Sequence, residues 1–161
     1  MIEKVIAKMI AHSNGNKHDV AHFMKVYAYA QTIGKMEGLD TKTQQILELA
    51  AVVHDIACPL CREKYGSAKG SYQEAESEAL LRPFFEEFSL PTDVLERIVY
   101  LVTHHHTYDP VDGIDHRILL EADFLVNGDE SNCSKETIEK FRDNVYRTKS
   151  GLQLLKDIYQ I

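Results

Sequence analysis

The stretch LELAAVVHDIACPLCREKYG, residues 47–66, decides how the rest of the chain is read. Leu49 to Val53 are five apolar residues in a row, too apolar for a helix end that faces water, and they run straight into His54-Asp55. Three residues after Asp55 comes a second signal, Cys58-Pro-Leu-Cys61. A structural zinc site needs four ligands, and Cys133 is the only other thiol. A redox pair wants a helix N-terminus, whereas Cys58 follows the expected C-terminus of the preceding helix, whose dipole disfavours a thiolate. The cysteines therefore read as structural, and residues 58–70, with Pro59, Gly66 and Gly70, as a loop.

Composition bounds the alternatives. The chain has 161 residues, 44% of them apolar and 27% charged, enough for one domain (1–161) with its own core. No run approaches the roughly 18 uncharged residues of a membrane span, and Glu3 and Lys8 interrupt any export signal, so a cytoplasmic protein with reduced thiols is expected. A net charge of −7 with no Lys/Arg stripe argues against a nucleic-acid polymer as partner. A small phosphorylated ligand remains compatible, because a bound metal can outweigh the overall field locally.

Apolar spacing is helical nearly throughout, and no convincing strand exceeds four residues. Helices are expected over about 2–12, 17–37 and 41–57, the last opened by a Thr41/Gln44 capping box. A further helix opens on Ser71 and Glu74 and should kink or split at Pro83. Helices follow over about 92–105, 115–127 (capped by Asp115), 134–148 and 151–160. The reading is a single all-α helical bundle, monomer or homodimer.

On this framework several polar side chains fall on apolar faces. His22 shares a face with Val26, Tyr29 and Ile33. Asp123, within ILLEADFLV, lies with Leu119, Leu120 and Val126, and an unpaired buried carboxylate costs several kcal/mol. A salt bridge would satisfy Asp123, and a backbone carbonyl would satisfy His22, each taken alone. Together, two histidines and two aspartates from three helices make a divalent-metal site, and mixed imidazole and carboxylate ligation suits Mn, Fe, Co, Ni or Zn.

The segments AHFMKVYAYA (21–30), AAVVHDIA (50–57) and ILLEADFLVN (118–127) resemble, in order and helical context, the three signatures of the HD-domain metal-dependent phosphohydrolases. The resemblance covers about residues 17–127 and implies an all-α fold with a metal site between its central helices. It assigns His22, His54, Asp55 and Asp123 as metal ligands, Asp55 also orienting the attacking water. It implies hydrolysis of a phosphomonoester, phosphodiester or nucleotide. Nucleotidases of this superfamily carry an acidic residue shortly after the doublet, where this chain has Ile56, Ala57 and Cys58.

His104, His105 and His106 end a helix, and His105 continues the apolar face of Ile98, Leu101 and Val102. In two-metal members of the superfamily, paired histidines here resemble ligands of a second ion, together with a histidine between the doublet and that pair. This chain has none between 55 and 103; Glu74, Glu76 and Glu78 are the only substitutes. The reading is therefore one metal, with His104 and His105 contacting the phosphate or donating a proton. His18 and His22 have zincin spacing but Asp19 replaces the usual Glu, so His18 is placed at the pocket rim as a substrate contact. YGSAKGS (65–71) lacks the P-loop Lys-Ser/Thr, though Lys69 between small residues can close over an anion. The alternative to an enzyme is a metal-containing module that binds a nucleotide or phosphorylated metabolite without turning it over.

Overall fold

A computed structural model describes all 161 residues as nine α-helices and one 3-10 turn, with no strand. In chain order the helices are α1 (Ile2–His12), α2 (Lys17–Met36), α3 (Thr41–Val53), α4 (Cys58–Tyr65), α5 (Gly70–Phe85), α6 (Thr92–Thr103), α7 (Gly113–Glu130), α8 (Lys135–Val145) and α9 (Lys149–Tyr159). The all-α expectation holds. Asn16, Asp40, Ser134 and Thr148 each accept a backbone N–H in the first turn of the helix they precede, satisfying donors that the helix cannot.

The core is organised around α3. Ala50, Ala51, Val52 and Val53 are all fully buried, because α1, α2, α6 and α7 pack around this helix. That enclosure explains the uninterrupted apolar run before His54: there is no solvent-facing side to mark with polar residues. Helix α7 is enclosed in the same way, burying Ile118 to Val126 without a break. Its one acidic residue besides Asp123 in that stretch, Glu121, is fully buried and accepts from the backbone N–H of Arg147 and Thr148 and from the Thr148 hydroxyl. A carboxylate in the core thus holds the N-cap residue of α9 in place and fastens the C-terminal helices to α7.

Several local expectations are corrected. Residues 58–65 form α4, not a loop, because Pro59 sits in the first turn, where its missing N–H has no intrahelical partner to lose. Gly66 then ends α4 in the left-handed region at φ +73°, as a glycine does without penalty. Tyr65 stacks on Tyr72 at 4.2 Å and closes the turn between α4 and α5. The capping boxes do not form: Asp40 caps α3, while Gln44 turns inward and donates to Glu48 and the Gln31 carbonyl. Helix α5 starts at Gly70 without a side-chain cap, runs through Pro83 to Phe85, and only then tightens into the 3-10 turn Glu86–Phe88. Helix α7 starts two residues before Asp115, whose carboxylate is taken by Arg97.

Candidate metal centre

The cluster forms where α2, the C-terminal end of α3 and the middle of α7 meet. The doublet lies in the turn after α3, which Val53, Asp55 and His12 hold in place. The Val53 carbonyl accepts from the Ile56 N–H, the Asp55 carbonyl from the Cys58 N–H, and His12 Nε2 donates to the Ile56 carbonyl at 2.9 Å. From there His54 projects into the core with no exposure, and Asp55 beside it keeps 24% of its side chain exposed. His22 from α2 and Asp123 from α7 complete the group, both buried.

The distances are short. Ligand atoms of His22, His54 and Asp123 all lie within 4.8 Å of one another. His22 Nε2 is 3.1 Å from His54 Nε2 and 3.2 Å from both Asp55 Oδ2 and Asp123 Oδ1. His54 Nε2 is 3.4 Å from Asp55 Oδ2 and 3.3 Å from Asp123 Oδ1. Each imidazole also has its outer nitrogen engaged: His22 Nδ1 donates to Glu130 Oε1 at 2.5 Å and His54 Nδ1 donates to the Ala51 carbonyl at 2.7 Å. With Nδ1 protonated on both rings, the two Nε2 atoms face each other across the cluster, and a proton or a metal ion between them relieves the repulsion of their lone pairs. Asp123 Oδ1, fully shielded, takes no hydrogen bond.

The electrostatics agree. Burial alone would push the Asp123 carboxyl up, but His22 and His54 hold it below the ordinary carboxylate range. Burial likewise opposes charge on His22, yet Asp123 and Asp55 overcome it and push the ring up to about 11. Two carboxylates beside two imidazoles call for positive charge, which protons on the rings or a divalent ion can supply. The donor set of two nitrogens and two carboxylates suits Mn, Fe, Co, Ni or Zn. A cleft of about 630 Å³ lies at the other end of α3, around Lys35, Leu39 and Gln45, away from this chemistry.

The histidine run divides three ways. His105 is 1% exposed and points inward, with Nδ1 donating to the Val102 carbonyl and Nε2 3.4 Å from Asp55 Oδ1. His106, which the sequence reading passed over, packs its ring 4.0 Å from that of His105; burial and its neighbour lower it to about 4. The Nε2 atoms of both are shielded and without a hydrogen bond. His104 turns the other way. It stacks on Tyr100 at 3.9 Å and donates Nδ1 to the Tyr100 carbonyl, because the helix end rotates successive side chains to different sides. It therefore stands outside the cluster.

The remaining expected residues lie around the edge. His18 has an exposed ring that pairs with Glu130 Oε2 at 3.1 Å. Lys69 is exposed at the start of α5, where the adjacent Gly70 packs against His106 so closely that a Cβ would sit 3.0 Å from the ring. Of the acidic substitutes for a second site, Glu76 pairs with Lys64 and Tyr65, and Glu78 pairs with Arg82. Cys58 opens α4 rather than trailing α3, which reverses the dipole argument; burial and the Asp55 charge nonetheless push its thiol far up. Glu130 was missed as well. Its signal was its place seven residues after Asp123, two turns along the same face of α7.

Fold and site together define an all-helical protein with a buried cluster of histidines and aspartates suited to hold a metal ion. Residues 19–138 match the family model of the HD domain, and the chain belongs to that family. HD domains are generally metal-dependent phosphohydrolases that bind divalent ions. No curated protein matches the chain significantly.

Proposed function

We propose that this protein is a phosphohydrolase that uses one divalent metal ion, held by His22, His54, Asp55 and Asp123, to hydrolyse a small phosphorylated substrate. Nucleotides, phosphomonoesters and phosphodiesters all fit the chemistry. The observation that carries the reading is the convergence of two facing imidazole Nε2 atoms and two carboxylates within 3.4 Å, beside two further histidines whose Nε2 atoms have no hydrogen bond. A divalent ion in that position acidifies water and polarises a phosphoryl oxygen.

The chain's own residues supply the rest. Asp55 is the most exposed of the four ligands, so its outer oxygen is placed to orient the attacking water and take its proton. His105 Nε2 faces that same carboxylate at 3.4 Å and borders the side where the water would sit. His106 takes the phosphate-contacting role first assigned to His104: its Nε2 has no hydrogen bond, the charges of Asp123 and Asp55 act on its ring, and the uncapped N-terminus of α5 abuts it. Lys69, at that same N-terminus, supplies the positive charge that draws the phosphoryl group in. Tyr108 follows the histidine run, is 40% exposed, and its hydroxyl is pushed up to about 12 by desolvation and by the Asp123 charge. It packs edge-on against Phe141 and offers an apolar wall for the organic part of the substrate.

One observation favours the second reading, binding without turnover. Three residues after the doublet stands the neutral thiol of Cys58, so proton transfer rests on Asp55 and the histidines without another acid. A panel of phosphorylated compounds, screened for phosphate release and for thermal shift with added Mn, Co, Ni and Mg, separates the two. Release that vanishes in Asp55→Ala supports the enzyme. Thermal stabilisation with no release supports the binding module, and activity surviving Asp55→Ala sinks the proposed mechanism.

A further inference from the structure

We infer that Glu130 is a positioning residue of the metal centre: it fixes the tautomer of His22, and His18 holds it in place from outside. The inference rests on the metal reading above and adds two residues to it.

A neutral imidazole carries one proton and one lone pair, and a metal ligand must show the lone pair to the metal. If Nδ1 of His22 held the lone pair, its Nε2–H would project among His54, Asp55 and Asp123 and obstruct a cation. His54 and His105 settle the same question locally. Both lie close after a helix end, where the last carbonyls have no intrahelical donor, and each gives its Nδ1 proton to the carbonyl three residues earlier. His22 lies inside α2, where the nearby carbonyls are occupied by the helix's own N–H groups. Its acceptor must come from elsewhere in the fold.

Glu130 is that acceptor. It is the last residue of α7, two turns beyond Asp123, so one helix supplies both a ligand and the partner that orients a second ligand. Its carboxylate is acceptor-only and mostly buried, with 15% of the side chain exposed, and Oε1 lies 2.5 Å from His22 Nδ1. The other oxygen is 3.1 Å from His18 Nε2, one turn earlier on α2. Glu130 therefore spans two successive turns of α2 and cannot swing away without breaking both contacts. A carboxylate behind a ligating imidazole also raises the ring's basicity toward a metal.

Cobalt titration of the full chain, followed by visible absorption, tests this. Glu130→Ala is expected to weaken cobalt binding by about 10- to 100-fold. Glu130→Gln keeps an acceptor but loses the charge and is expected to lose about 3- to 10-fold, while His18→Ala stays within about threefold. In the zinc-loaded protein, nitrogen-15 spectra should show His22 protonated at Nδ1, with that proton protected from solvent exchange in the native chain and unprotected in Glu130→Ala. Cobalt affinity of Glu130→Ala within twofold of native, in a protein whose His54→Ala variant no longer binds, overturns the positioning role alone. If Glu130→Ala does not fold, Glu130→Gln decides on the same twofold limit. A native chain that takes up no cobalt overturns the metal reading and this inference with it.

Discussion

His22 Nε2 and His54 Nε2 face each other at 3.1 Å although each ring donates its other nitrogen's proton outward. Two such nitrogens repel unless a proton or a metal ion lies between them. Without a metal, the surrounding carboxylates hold a proton on His22 up to about 11. Metal uptake at pH 7 must displace it, so at least one proton should be released per ion and affinity should rise with pH. Calorimetry in two buffers of different ionisation enthalpy reads that proton directly.

Chelation should also destabilise the fold. An ion present at a hundred times its dissociation constant stabilises the native state by about 2.7 kcal/mol. For a chain of this size that amounts to roughly 5–11 °C in Tm. Thermal melts with chelator, and again after adding excess Mn, Co or Zn, check it; an unchanged Tm would count against the metal centre.

His104 and His106 should behave oppositely. His106→Ala removes a side chain assigned to the phosphoryl group and is expected to lower kcat/KM by about 10²- to 10³-fold with little change in Tm. His104→Ala loses the stack on Tyr100 and one hydrogen bond, costing about 1–2 kcal/mol of stability, and should leave kcat/KM within about threefold. Steady-state kinetics beside urea unfolding of both variants decides between them.

Gly151 lies against the buried carboxylate of Glu121, and a Cβ there would collide with Oε1. Gly151→Ala should therefore destabilise by about 1–3 kcal/mol, loosening α9 while leaving cobalt affinity within about threefold. Urea midpoints and a cobalt titration on the same preparation test both halves of the statement.

Stability in chelator should fall on acidification below pH 6.5. Burial and its neighbour His105 lower His106 from 6.5 to about 4, and burial lowers His116 too. A histidine depressed in the fold stays neutral where the unfolded chain takes up a proton, so its contribution is complete above pH 6.5 and is lost as pH falls toward about 4. For His106 the loss amounts to at most about 3 kcal/mol. The raised His22 and His54 add no slope in this window, since their contribution is already complete below 6.5. Urea midpoints between pH 7 and 4.5 should decline less steeply for His106→Asn than for the native chain.

Much of this was legible in the residues. The all-helical class followed from apolar spacing, and His22, His54 and Asp123 stood out because each is ionisable on a face that periodicity marks as dry. Caps were less legible. Asp40 displaced Thr41 one residue away, and Pro59 looked like a breaker although a first-turn proline suits a helix. Local chemistry offered competing partners of similar strength, and packing chose among them.

What the sequence determined by itself is which residues cannot be left alone in a core: a carboxylate amid leucines and a doublet after five apolar residues. Only the tertiary structure decided how they are satisfied. Which of three consecutive histidines faces the cluster depends on the rotation of the end of α6 against its neighbours. Whether His22 finds an acceptor depends on α7 ending beside the first two turns of α2, which places Glu130 at its Nδ1 across 108 residues of chain. Periodicity records only which side of a helix is buried; the partner waiting there is set by how helices distant in sequence pack together.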